Sequence, residues 1–128
     1  MLTKIIRTSI VLLSLLALAT PSPAKSQAVA GAFVSTAVSP ASLLIGETAS
    51  VGVTLNNIPV EGYKSAEFTC SYDGALVEKS NIAVTQLFGA EPVTVVHDPQ
   101  IGTFIVAIAG ANSNRAMTSG TAFTFSAK

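Results

Sequence analysis

The chain has 128 residues, a formal net charge of +0, 11% charged side chains and 49% hydrophobic ones, which suits one domain with one core and excludes a charge-rich disordered segment. Three of the basic residues, Lys4, Arg7 and Lys25, precede position 28. From residue 29 onward four basic residues face seven acidic ones, a net charge of about −3, so no cationic surface awaits a phosphate backbone and nucleic acid is excluded as a partner.

The first segment reads as a targeting sequence. Lys4 and Arg7 form a positive start, residues 9–19 an apolar run, and small residues stand at −3 and −1 of two cleavage sites, after Ala24 and after Ala28. The run is too short for a membrane span, which needs roughly 20 apolar residues, and no cysteine directly follows it to carry a lipid anchor. The expected organisation is a signal peptide over 1–28 and a secreted domain over 29–128, with no membrane association after cleavage.

Beyond it, turn residues punctuate the chain every eight to twelve positions, the rhythm of an all-β sandwich. Residues 33–38 make a short strand ended by Ser39-Pro40. Gly46-Glu47 turns into 48–56, where Ala49, Val51, Val53 and Leu55 alternate with Thr48, Ser50, Gly52 and Thr54. Asn57, Pro59 and Gly62 form the next loop. In the strand that follows, Ala66, Phe68, Cys70 and Tyr72 take one face and Glu67, Thr69 and Ser71 the other, which is the pattern of a half-buried strand. Asp73-Gly74 closes it as a turn. Residues 76–85 are apolar at both parities and fit two short strands or one bulged strand. Residues 93–96 are short and end at Asp98-Pro99. In 102–109 both faces are apolar, so this strand is either covered on both sides or meets a partner with its outer face. Residues 110–120 are a polar loop, and 121–128 alternate Phe123, Phe125 and Ala127 against Thr124 and Ser126. No sustained helical period occurs, and no long helix is expected.

The strand ending in Ser71-Tyr72-Asp73 resembles the third strand of cohesin domains, secreted modules that bind dockerin domains in polysaccharide-degrading complexes. The resemblance is carried by Phe68, Ser71, Tyr72 and Asp73, then by Leu76, Val77 and Glu78. It extends over residues 32–128: Pro40 and Gly46 ahead of 48–55 look like the family's opening, 102–110 like its sixth strand, and 120–127 like the glycine-led strand after it. It implies a β-sandwich with jelly-roll topology, no catalysis and no cofactor. The implied partner is a dockerin-bearing protein that carries the calcium itself. At the positions of Ser65 and Glu67 the family commonly has Asn and Asp that hydrogen-bond the dockerin helix. Thr69 extends that face, and Ile105, Ala107 and Ala109 are the smaller, flatter parity of the sixth strand. These six are the implied partner-binding residues. Family members continue through two further strands, so 29–128 is either a C-terminally incomplete module or a shorter seven-strand sandwich of immunoglobulin-like size.

Residues that carry chemistry are sparse. His97 is the only histidine and Cys70 the only cysteine, which excludes an internal disulfide. The strand pattern turns Cys70 inward as a buried thiol and leaves His97 in a turn, so no nucleophile pair and no four-ligand zinc site is expected. Asp73, Glu78, Glu91 and Asp98 are scattered, without an EF-hand loop. The chain has no Trp on which a sugar ring could stack, with Tyr72 inward and Tyr63 at a strand start. A carbohydrate-binding module on the same fold, with polysaccharide as its partner, is the first alternative. A structural or adhesive exported sandwich without a ligand is the second.

Overall fold

The computed structural model describes residues 31–128, so the leader expected over 1–28 lies outside the described residues. Within them the elements are β1 (Phe33–Ser39), β2 (Ala49–Asn56), β3 (Ser65–Ser71), β4 (Lys79–Val84), β5 (Val93–Gln100), β6 (Thr103–Ala109) and β7 (Gly120–Ala127). They form two sheets, ordered β1-β2-β7-β4 and β3-β6-β5. Every neighbouring pair is antiparallel. The chain passes between the sheets after β2, β3, β4 and β6, which makes the all-β jelly-roll sandwich expected from the sequence.

The core follows from the alternation. Val51, Val53 and Leu55 of β2, Phe68 of β3, Phe104, Val106 and Ile108 of β6, and Ala122 and Phe123 of β7 are all buried. Four phenyl rings join the sheets: Phe68 meets Phe123 edge-on at 5.4 Å, and Phe104 meets Phe125 at 5.1 Å with planes at 77°. Edge-to-face pairs of this kind contribute about 0.5–1.5 kcal/mol each beyond area burial. Phe88, from the loop between β4 and β5, is fully buried and plugs one end. Its loop is tied to β7 through Thr85, whose hydroxyl lies 2.5 Å from the Thr121 carbonyl and accepts the Leu87 N–H at 3.2 Å.

The β5–β6 hairpin closes on Ile101-Gly102, with Gln100 paired to Thr103. Gly102 sits at φ +85°, and its carbonyl lies beside the end of β3, where it accepts the Tyr72 N–H at 2.8 Å. An L side chain there would be strained and would also meet the Tyr72 carbonyl.

Several expectations needed correction. The strand expected over 93–96 runs on to Gln100, and His97 is a strand residue rather than a turn residue. A register shift between His97 and Gln100 accommodates Pro99, and β5 tolerates it because it is an edge strand that owes no outer hydrogen bonds. The 76–85 region resolves into one bulged strand, Lys79–Val84, shifted between Ser80 and Ala83. Leu76 and Val77 instead turn over Asp73, whose carboxylate accepts the Ala75 N–H at 3.0 Å. In β7 the alternation breaks where the register against β2 slips, so neighbours Ala122 and Phe123 are both buried. Cys70 points inward but is only half-buried, because β3 is an edge strand and the sandwich is open beside it.

Candidate docking face

The outer surface of the β3-β6-β5 sheet is built in rows. Residues directly opposite in an antiparallel ladder share a face. The registers place Ser65, Ala109 and Val93 in one row, Glu67, Ala107 and Val95 in the next, and Thr69, Ile105 and His97 in the third. Ser71, Thr103 and Gln100 follow. All six residues singled out from the sequence, Ser65, Glu67, Thr69, Ile105, Ala107 and Ala109, are therefore adjacent on one surface. The opposite parity of β6 (Phe104, Val106 and Ile108) is buried to 1% exposure or less, while Ile105, Ala107 and Ala109 are half-exposed. Ile105, Ala107 and Ala109 thus form the less buried side of this two-faced strand.

Three residues of this face went unrecognised in the sequence: Val93, Val95 and His97. Val93 is 61% and Val95 59% exposed. Residues 93–96 are apolar at both parities, so their facing is set only by the pairing to β6, and no sequence signal within the segment supplied it.

The surface grades from polar to apolar. β3 contributes hydroxyls and one carboxylate, the middle strand small aliphatic groups, and β5 two valines and an imidazole. Glu67 is the only carboxylate in these four rows, and among the described residues it has no ion-pair or hydrogen-bond partner. A shallow depression of about 240 Å³ lies between Glu67, Ala107 and Val95. A flat, rigid, part-apolar surface with one unpaired charge suits recognition of a macromolecule and offers no enclosed cleft for a small one.

The groups that might do chemistry are kept apart. Cys70 pairs with Phe104 on the inner parity, and His97 pairs with Ile105 on the outer, so β6 separates thiol and imidazole on opposite faces of one sheet. Burial raises the Cys70 thiol pKa above its ordinary value of 9.0, which disfavours the thiolate. Among the described residues no three His, Cys, Asp or Glu side chains gather as metal ligands. Tyr72 leans on Phe104 at 6.1 Å, and Tyr63 is half-buried in a bridge to Ala116. The remaining exposed phenyl, Phe33, lies on the other sheet. At the β4–β5 flank, Lys79 pairs with Asp98 at 2.7 Å and lies 5.3 Å from the Phe104 ring centre, bordering an open hollow with Glu78 and Ile101.

Fold and face together define an antiparallel jelly-roll sandwich with one bare three-stranded surface. Solved structures that share this fold are cohesin domains. The sixth cohesin of scaffoldin B from Acetivibrio cellulolyticus, solved in complex with a mutant dockerin, superposes with a TM-score of 0.66 at 17% identity, covering 77% of this chain and 71% of that one. A type I cohesin from Clostridium thermocellum, in complex with a dockerin, gives 0.61 at 18% over 74% of this chain and 70% of that one. The seventh ScaB type I cohesin from Pseudobacteroides cellulosolvens gives 0.59 at 18% over 66% of this chain, which spans 56% of that domain. No family model and no curated protein sequence matches the chain.

Proposed function

We propose that this chain is a secreted, non-catalytic docking module that binds a dockerin-bearing protein through the outer face of β3, β6 and β5, within extracellular polysaccharide degradation. The observation that carries the reading is the register that brings Ser65, Glu67, Thr69, Ile105, Ala107 and Ala109 onto one uncovered surface. The cohesins of like fold that were solved with dockerins bound support the choice of partner.

The mechanism is rigid presentation. The sheet holds its side chains in place before contact, so little ordering entropy is lost on binding. Val95, Ala107 and Ile105 give apolar area to the centre, and Glu67, Ser65 and Thr69 offer acceptors and donors along one side. The partner's matching surface is a helical one, with an aliphatic patch opposite Ala107 and a hydrogen-bond donor opposite Glu67. Calcium belongs to the partner's fold, and this chain contributes no ligand to it. Direct polysaccharide binding finds no exposed tyrosine on the face to stack a sugar.

The test is capture from the organism's own secreted proteins on the immobilised chain, with and without a calcium chelator. A dockerin-bearing protein retained only with calcium present is the expected outcome. Retention on cellulose or another polysaccharide without any protein partner would overturn the reading.

A further inference from the structure

The two margins of the candidate docking face differ in polarity. On β3 the Glu67 carboxylate accepts hydrogen bonds only, while the opposite margin, β5, carries the imidazole of His97. The registers set these residues two strands and one row apart, about 12 Å from backbone to backbone. Aliphatic Val95, Ala107 and Ile105 lie between them. That separation exceeds the screening length of about 8 Å in physiological salt, so the two groups act independently.

His97 is exposed, and its ring has no ion pair or hydrogen bond among the described residues. On β6 it faces Ile105, with Thr103 and Ala107 to either side, and beyond them β3 presents Thr69 and Glu67. Glu67 is the only titratable group among these. The neighbouring carboxylate, Asp98, is turned to β4, where Lys79 holds it at 2.7 Å. Histidine is the side-chain type that ordinarily changes charge between pH 5 and 8. A proton taken up by His97 therefore adds a positive charge that no described side chain neutralises.

We propose that His97 is a specificity-determining residue of this face, whose protonated ring pairs with a carboxylate of the docking partner and tightens the complex at acid pH. The inference rests on the docking reading and deepens it, by giving the partner a donor opposite Glu67 and an acid opposite His97. The layout also orients. Turned by half a turn in the plane of the sheet, the partner would set its carboxylate against Glu67. The sign follows from linkage. A carboxylate favours the charged ring, so the complex holds the proton more tightly than the free chain, and affinity rises as pH falls through the histidine range. A partner that covered the ring with apolar side chains would disfavour the charged form and reverse the slope.

The test is calorimetric titration of the chain with the dockerin-bearing protein recovered by calcium-dependent capture, at saturating calcium, from pH 5.5 to 8. Binding should be about five- to tenfold tighter at pH 5.5 than at pH 8. At pH 6.5 the measured heat should vary with the ionisation enthalpy of the buffer, showing proton uptake. His97→Gln should abolish both effects. His97→Lys, cationic throughout, should bind tightly at every pH without proton uptake. Glu67→Gln should weaken binding by a similar factor at every pH and keep the slope. A flat wild-type profile, weaker binding at acid pH, or a slope that survives in His97→Gln overturns this inference and leaves the docking reading standing. If no calcium-dependent partner is captured at any pH, both fall.

Discussion

Glu67 is the one carboxylate in the four rows of the candidate docking face and, among the described residues, has no partner. Reversing it tests the site with little risk to the fold, because the side chain is exposed. If the proposed docking holds, Glu67→Lys should weaken binding of the dockerin-bearing partner by about 1–3 kcal/mol, the scale of a lost charge-assisted hydrogen bond. Calorimetric titration with the isolated partner reads it, and unchanged affinity in a folded variant would remove Glu67 from the interface. Cys70 makes a prediction of a different kind. Its thiol pKa is raised by burial, so the folded chain holds this proton more tightly than the unfolded one. Stability from this group is fully present below pH 9.0 and falls as pH rises from there through the folded pKa. Cys70→Ala should flatten that alkaline decline in urea titrations from pH 8 to 11. An identical decline in the variant would place its cause elsewhere.

At the scale of elements, strict alternation made β2 and β3 readable from sequence, because one face of each is buried and a period of two then has no rival, while β6 was readable as a short apolar run bounded by Gly102 and Gly110. That the six residues singled out from the sequence share one face follows from parity on β3 together with the choice of the smaller side chains on β6. β5 was not readable, since Val93, Val95 and Val96 are apolar at both parities and Pro99 reads as a stop. Only pairing to β6 extends the strand and turns Val93, Val95 and His97 to the face shared with Ala109, Ala107 and Ile105. The bulge in β7 was equally hidden, because it answers to the register of a neighbouring strand and not to local composition, whereas the mixed parity of 76–85 already allowed a bulged β4. The β4–β5 flank is held by Lys79, whose ammonium meets Asp98 and lies near the Phe104 ring. Asp98 is 57% exposed, so solvent screens much of the pair. Lys79→Met, which keeps the stem, should cost about 1 kcal/mol in denaturant unfolding, with part of the loss vanishing at high salt. A neutral result at low salt would leave the flank without an electrostatic clamp.

Taken whole, the sandwich is bridged at the β4–β5 flank by the Lys79–Asp98 pair and open beside β1 and β3, with stability concentrated in the rings between. Phe104 is fully buried and touches Tyr72, Phe123 and Phe125, so Phe104→Ala should destabilise by about 3–5 kcal/mol. That is a large share of what a domain of this size possesses, and urea unfolding would show it. A loss below about 1 kcal/mol would mean that the core relaxes around the gap. The strand registers also fix how the fold carries load. β1 and β7 both run antiparallel to β2, with Phe33 at the Asn56 end and Ala127 at the Ala49 end. Tension applied between Phe33 and Ala127 therefore runs along the strands and loads their hydrogen bonds side by side, in shear, instead of peeling them open one after another. Single-molecule extension should show one abrupt high-force rupture, and a gradual low-force unravelling would contradict this geometry. Because no other described strand pairs with β1 on its outer side, the seven-residue β1–β2 seam is the joint that slips first.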